Sequence, residues 1–108
     1  MTAKRWKDPP REEESRWRAA VRELLDGDSE PTVRCPVCGE AYLRLFILRF
    51  DTQVDGGYWV WCAACGSFEH GSLRVPAWWR DVALPPGIRL RTDPDWLNKH
   101  YLQVRHLK

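Results

Sequence analysis

The sequence predicts a small α+β fold in which a three-stranded antiparallel sheet is preceded by one helix and followed by another. Two units with the same cysteine spacing, residues 35–39 (CPVCG) and 62–66 (CAACG), contain all four cysteines of the chain. Runs of branched and aromatic residues adjoin these units, as is typical of strands. Amphipathic stretches with helix-capping residues lie toward both ends. At 108 residues, we expect one domain overall.

The two cysteine units carry the clearest chemistry. Each has two residues between its thiols and ends in a glycine, which can adopt a positive φ that other residues avoid. Both sulfurs of a unit can then point to one centre. Two such turns facing each other supply four thiolates in a tetrahedron, the closed coordination of a structural Zn²⁺ ion. The predicted ligands of one zinc per chain are Cys35, Cys38, Cys62 and Cys65.

In these units the chain resembles the zinc-ribbon group, whose members carry CPxCG and CxxCG knuckles on a small antiparallel sheet. The resemblance covers about residues 33–75. It implies a structural metal held by the same four cysteines. It does not imply one function, because ribbons occur in transcription factors, ribosomal proteins, enzyme insertions and protein-binding adaptors.

Three other uses of the cysteines fit less well. Disulfides belong to secreted proteins, and residues 1–10 (MTAKRWKDPP) have no apolar signal core. A thioredoxin-like dithiol would use a single C-x-x-C near a βαβ pattern. A rubredoxin-like iron site uses the same four thiolates, but its CPxCG unit is typically the second, and here it is the first. Zinc is therefore the preferred metal, and an iron-containing electron carrier remains an alternative.

The charge of the chain is nearly balanced. There are 17 Lys and Arg residues against 15 Asp and Glu residues, a formal net charge of +2. Four thiolates and one Zn²⁺ ion would bring this charge to zero, which argues against nucleic acid as the default partner. No apolar run approaches the length of a membrane span, and no signal sequence is evident. We therefore expect a cytoplasmic protein without membrane contact.

The N-terminal part is predicted to combine a flexible leader, residues 1–10, with a helix over residues 11–27. The helix carries one apolar stripe, formed by Trp17, Val21, Leu24 and Leu25. This stripe fits packing on the ribbon, and docking into a partner's groove is the alternative.

Residues 33–75 form the predicted ribbon. Its three strands are expected over residues 42–50, 58–61 and 67–75. The first strand (YLRLFILRF) is apolar on both faces, so we expect a cover on each side: the N-terminal helix and the C-terminal segment, or a partner. Residues 51–57 (DTQVDGG) predict a polar loop that closes in a hairpin turn at its two glycines.

Residues 76–108 are predicted to be a Trp-rich connector, a short strand and a C-terminal helix that packs on the ribbon. Ile88 and Leu90 alternate with arginines, as in an edge strand. Asp93 and Pro94 predict the N-cap and the first residue of the helix.

The seven tryptophans favour an interaction function, because a small core does not easily bury so many with each indole N–H satisfied. Interface hot spots are rich in Trp, Tyr and Arg. We therefore expect a non-catalytic, zinc-stabilised protein-binding module, either an adaptor or a small inhibitor or immunity-type protein. The predicted partner surface consists of Trp59, Trp61, Trp78, Trp79, Arg80 and Trp96.

The alternative function is a nucleic-acid-binding ribbon, related to transcription or RNA, in which arginines interleave with aromatic residues that stack on unpaired bases. Its predicted contacts are Arg44, Arg49, Arg74, Arg89 and Arg91. No carboxylate pair, Ser–His motif or Gly-rich phosphate loop is evident in the sequence, so no catalytic residue and no small-molecule substrate are predicted.

Overall fold

The fold is the predicted small α+β arrangement of one sheet and two helical regions. The structure is a computed structural model that describes Trp6 and residues 11–26, 33–50, 54–79 and 84–104. The strands form one antiparallel sheet in the order β1-β2-β3. The elements, after a 3₁₀ turn at Arg11–Glu13, are α1 (Glu14–Asp26), β1 (Leu43–Arg49), β2 (Asp55–Cys62), β3 (Phe68–Arg74), α2 (Pro94–Lys99) and α3 (Tyr101–Val104).

The sheet lies between two helical layers, as the apolar character of both faces of β1 predicts. Helix α1 covers the face that carries Ile47 and Tyr58, which are paired across β1 and β2. The α2–α3 region covers the opposite face, where Trp61 donates a hydrogen bond from Nε1 to Asn98 Oδ1 over 3.1 Å. Both covers therefore come from the chain itself. The central side chains Ile47 and Trp61 are 1% and 0% exposed.

Helix α1 packs on the sheet through its predicted apolar stripe. Trp17 and Val21 are 0% and 5% exposed and belong to the core, while Leu24 and Leu25 are half-buried against it. Of the two readings of this stripe, packing on the ribbon is therefore confirmed. The predicted leader (except Trp6), the end of the helix at Gly27 and the linker that follows lie outside the described residues. No helix in the described ranges combines the length and the apolar character that crossing a membrane requires.

The predicted hairpin turn at the end of residues 51–57 is wrong. Gly56 and Gly57 lie inside β2, opposite Arg49 and Leu48 of β1. A Cβ on Gly56 would stand 2.5 Å from Leu48 O and 2.9 Å from a methyl carbon of Val75. This glycine is therefore required for close packing within the sheet.

The C-terminal helix begins as predicted, but the predicted strand before it is absent from described residues 84–93. Asp93 caps α2, accepting the Trp96 N–H at 3.1 Å, and Pro94 is the first helical residue. A turn closes between Pro85 and Ile88. Ile88 is exposed and Leu90 is only half-buried, so this segment lacks the buried apolar face that an edge strand packs against a core. His100, with φ −107° and ψ 20°, separates α2 from α3.

Candidate functional site

The two cysteine units form knuckles with the same backbone geometry. The Cys35 N–H donates to Glu40 O and the Gly39 N–H donates to Cys35 O, both at 2.9 Å. The second unit repeats these two bonds from Cys62, at 2.9 and 3.1 Å. Gly39 and Gly66 have φ values of 78° and 83°. The glycine after each CxxC therefore provides the left-handed conformation that closes the turn.

The knuckles bring all four sulfurs to one point. The four Sγ atoms lie within 4.8 Å of one another. The separation of Cys35 Sγ and Cys65 Sγ is 3.7 Å, and that of Cys38 Sγ and Cys62 Sγ is 3.6 Å. A regular tetrahedron with Zn–S bonds of about 2.3 Å has S···S edges of about 3.8 Å. The four thiols could therefore hold one metal ion, and their spacing fits zinc.

The sheet positions the second knuckle and leaves one side of the centre open to solvent. Cys62 is the last residue of β2 and pairs with Leu43, and the Ala63 N–H bonds Tyr42 O at 3.0 Å. Cys62 is buried, whereas Cys38 is exposed. The exposed thiol gives the metal a path into the site.

The thiols differ in their ease of ionisation in the metal-free protein. Burial, together with the hydrogen bond that the Cys35 thiol donates to Cys65, raises the pKa of Cys35 to about 12, and burial also raises the pKa of Cys62. Burial acts on Cys65 in the same direction, but hydrogen bonds from Ser67 and from the neighbouring thiols outweigh it and hold the pKa of Cys65 at about 7. A metal ion must therefore displace protons from Cys35 and Cys62.

All four candidate ligand atoms of the centre are thiol sulfurs. The described His, Asp and Glu side chains contribute no ligand atom to the cluster. Soft thiolate donors favour zinc or iron over magnesium and calcium.

A comparison of the chain with known protein families, curated proteins and solved structures finds no match.

The structure places two of the predicted partner-binding tryptophans in the core. Trp61 is 0% exposed and stacks edge-on against Tyr101 at 5.8 Å, and Trp79 is 5% exposed. Because they are buried, these two side chains are not part of a surface that a partner can contact. The sequence pattern could not show this, because the burial of a tryptophan depends on how segments distant in the chain pack together.

The other predicted partner residues are half-buried or undescribed. Trp59 stacks on His70 with ring centroids 4.5 Å apart, and Trp96 stacks on His100 at 4.1 Å. Both indoles, and that of Trp78, are half-buried and retain some accessible surface. Arg80 lies outside the described residues.

Two of the five predicted nucleic-acid contacts are engaged inside the protein. Arg44 donates to Asn98 Oδ1 at 2.9 Å and lies 4.7 Å from the centre of the Tyr101 ring. Arg49 is half-buried beside Trp79 O, at 3.5 Å. The remaining three, Arg74, Arg89 and Arg91, are exposed, and Arg91 pairs with Asp93 at 2.9 Å.

A cleft of about 750 Å³ between α1 and β3 was not predicted from the sequence. Its walls are one face of α1 and a continuous stretch of β3. The lining residues that carry charge are Arg11, Glu14, Arg18, Arg22, Asp26 and Glu69, with His70 at the strand. The arginine spacing on α1 was visible in the sequence, but the strand opposite it depends on the tertiary packing.

Proposed function

We propose that this protein is a zinc-stabilised, non-catalytic module that binds another protein, in the manner of an adaptor or a small inhibitor. Zinc is the proposed metal because four thiols lie within 4.8 Å of one another, and the separations of two pairs, 3.7 and 3.6 Å, match the edges of a zinc–thiolate tetrahedron. When bound, the metal cross-links the two knuckles and has a structural rather than a catalytic role. Four protein ligands fill its coordination, so no position remains for a substrate or an activated water.

The observation that carries the protein-binding function is the mixed charge of the α1–β3 cleft. Arg18 and Arg22 share one face of α1 with Glu14 and Asp26, and Arg11 extends this mixed-charge surface into the 3₁₀ turn. A phosphate backbone carries a charge at every nucleotide and is bound by a surplus of basic side chains, whereas this cleft is lined by as many acidic as basic side chains. Interleaved charges instead suit a protein surface, where charge pattern selects the partner.

The half-buried tryptophans support the same function. Trp59, Trp78 and Trp96 keep part of their apolar surface accessible while the rest is fixed by packing. Side chains held in this way lose little conformational entropy on binding, which is the property of interface anchors.

Metal content is the first test. The purified protein should contain one zinc per chain and show the ultraviolet spectrum of a protein, with no excess absorbance at about 260 nm, where nucleic acid absorbs. Stoichiometric iron with visible colour would replace the proposal by an electron carrier. No metal, with paired disulfides, would refute the reading of the knuckles.

Partner class is tested next with the zinc-loaded protein as bait in nuclease-treated lysate of its source cells. We expect a specific protein to be retained, and retention to fall when Trp59, Trp78 or Trp96 is changed to Ala or when charges in the cleft are reversed. Single-stranded DNA and RNA oligonucleotides are titrated in parallel at two salt concentrations. Oligonucleotide binding that weakens steeply with salt, without any retained protein, would favour the nucleic-acid ribbon instead.

A further inference from the structure

Strand β3 has an edge that no strand occupies within the described part of the chain. It is the last strand in the order β1-β2-β3. The Cys62 N–H bonds Ser67 O at 2.9 Å and the Val75 N–H bonds Val54 O at 2.8 Å. With the antiparallel register, these bonds direct the backbone groups of residues 67, 69, 71, 73 and 75 toward β2.

The alternate residues of β3 therefore point their N–H and C=O groups away from the sheet. They are Phe68, His70, Ser72 and Arg74. Among the described residues, none of these backbone groups has a backbone hydrogen-bond partner. Residues 69–73 line the cleft as a continuous stretch, so this free edge opens into it. An exposed row of unpaired groups is a template for an added strand.

Guanidinium groups with unused donors line the α1 side of this edge. Within the described ranges, Arg11 and Arg22 have no ion-pair partner, and Arg18 makes one exposed contact with Glu14 Oε1 at 3.3 Å. Each guanidinium has five N–H donors, so most donors of the three remain available. Carboxylates are the side chains that match this fork geometry.

Two of the acidic side chains that line the cleft already form contacts within the protein. Glu14 shares its charge with Arg18, and Glu69 accepts the Tyr58 hydroxyl at 2.6 Å. Asp26 lies at the last residue of α1. An incoming chain that carries carboxylates toward Arg18 and Arg22 therefore meets available donors.

The other side of the edge is aromatic. His70 stacks on Trp59, and the half-buried Phe68 lies on the same face of the sheet two residues before His70. In an added strand, successive side chains would point alternately to the α1 face and to this aromatic face. Acidic side chains of the peptide would suit the α1 face, and apolar side chains would suit the aromatic face.

We propose that an extended segment of a partner protein, with acidic and apolar residues in alternation, adds to the sheet as a fourth strand along β3. This inference rests on the proposed protein-binding function and specifies its site. The backbone of the segment pairs with His70 and Ser72. Its carboxylates contact the α1 arginines, and its apolar side chains cover Trp59 and His70.

The test uses linear peptides selected from a random dodecapeptide library on the immobilised zinc-loaded protein. We expect the selected sequences to alternate acidic and apolar residues. Binding of the selected peptide should slow amide hydrogen exchange at His70 and Ser72, which point outward, much more than at Glu69 and Gly71, which already pair with β2. N-methylation of every second peptide residue should abolish binding when the methylated groups are those that pair with β3. Methylation of the other set of N–H groups should leave binding intact.

Matched variants separate the backbone contact from the charge contact. Ser72→Pro removes an outward N–H without removing a bond to β2, which edge strands tolerate, and Ser72→Ala keeps the N–H. We expect Ser72→Pro to weaken the peptide at least about tenfold and Ser72→Ala to leave it within about twofold. Arg22→Glu should weaken it by a similar factor of about ten, while Arg16→Glu, an exposed change on α1 outside the cleft, should have little effect.

Failure of this inference and failure of the proposed function give different results. No selected peptide, selected peptides without acidic residues, or protection confined to other amides would overturn the β3 site. If the retained partner protein binds the Ser72→Pro and Arg22→Glu variants unchanged but is lost with Trp78→Ala or Trp96→Ala, protein binding stands and the β3 site does not. Salt-sensitive oligonucleotide binding without any protein partner would overturn both.

Discussion

One side-chain amide holds helix α2 on the sheet, and its removal tests the arrangement of the layers. Asn98 Oδ1 accepts from Arg44 Nη1 at 2.9 Å and from Trp61 Nε1 at 3.1 Å. Trp61 is 0% exposed, so Asn98→Ala leaves its indole N–H buried without a partner, which costs about 1–3 kcal/mol. Arg44 is half-buried and can turn to water, so its lost bond adds only about 0.5–1.5 kcal/mol.

The higher helix propensity of alanine returns up to about 0.7 kcal/mol, so we expect Asn98→Ala to lower the free energy of unfolding by about 2 kcal/mol. The assay is urea unfolding at neutral pH and at one fixed zinc concentration, followed by circular dichroism. Asn98→Asp is the control, because a carboxylate keeps an acceptor for both donors; it should stay within about 1 kcal/mol of the parent. A loss below about 0.5 kcal/mol for Asn98→Ala, or equal losses for both variants, would refute the reasoning.

The metal centre and the sheet give further expectations. Cys62→Ser should abolish stoichiometric metal binding and cooperative unfolding, since a structural zinc contributes on the order of 10 kcal/mol, whereas the exposed Ala64→Ser in the same knuckle should preserve both; metal analysis and circular dichroism decide. Zinc affinity should rise between about pH 6 and pH 8, because Cys35, with a pKa of about 12, and Cys62 are protonated in the metal-free protein and must release their protons. Calorimetry in buffers of different ionisation enthalpy should count at least those two protons, and a pH-independent affinity would contradict this. Gly71→Ala would place a Cβ 2.7 Å from Tyr58 Cε1 and should destabilise the protein by about 1–3 kcal/mol in urea unfolding; an unchanged midpoint would show that Tyr58 is free to move.

The features that the sequence predicted correctly depend on residues close together in the chain. The two CxxCG units bring their sulfurs together because each turn is closed by its own glycine and its own backbone bonds. Asp93 caps α2 through the N–H three residues later. The apolar run of β1 required a cover on both faces whatever that cover was. Local chemistry was sufficient for each of these inferences.

The features that the sequence did not reveal depend on neighbours that are distant in the chain. Gly56 resembles a turn residue until Leu48 O and Val75 are seen to occupy the space of its Cβ. Trp61 and Trp79 resemble the other tryptophans in the sequence, and their burial, at 0% and 5% exposure, depends on packing between segments that are distant in the chain. The cleft requires both the helix face with Arg18 and the edge of β3, which no local pattern connects.

The metal centre and the proposed partner site are adjacent in the chain, which links metal binding to recognition. The second knuckle leads directly into β3: Cys65 Sγ lies 3.4 Å from the Ser67 hydroxyl, and Ser67 O accepts the first bond of the β2–β3 ladder. A metal ion bound to Cys62 and Cys65 would therefore hold the beginning of the edge strand in register. Without it, an incoming strand would also have to bear the cost of ordering β3, and a ligand that binds only the ordered form loses affinity in proportion. On the proposed mode of binding, zinc and the acidic peptide thus strengthen each other's binding by the same factor, although they share no contact.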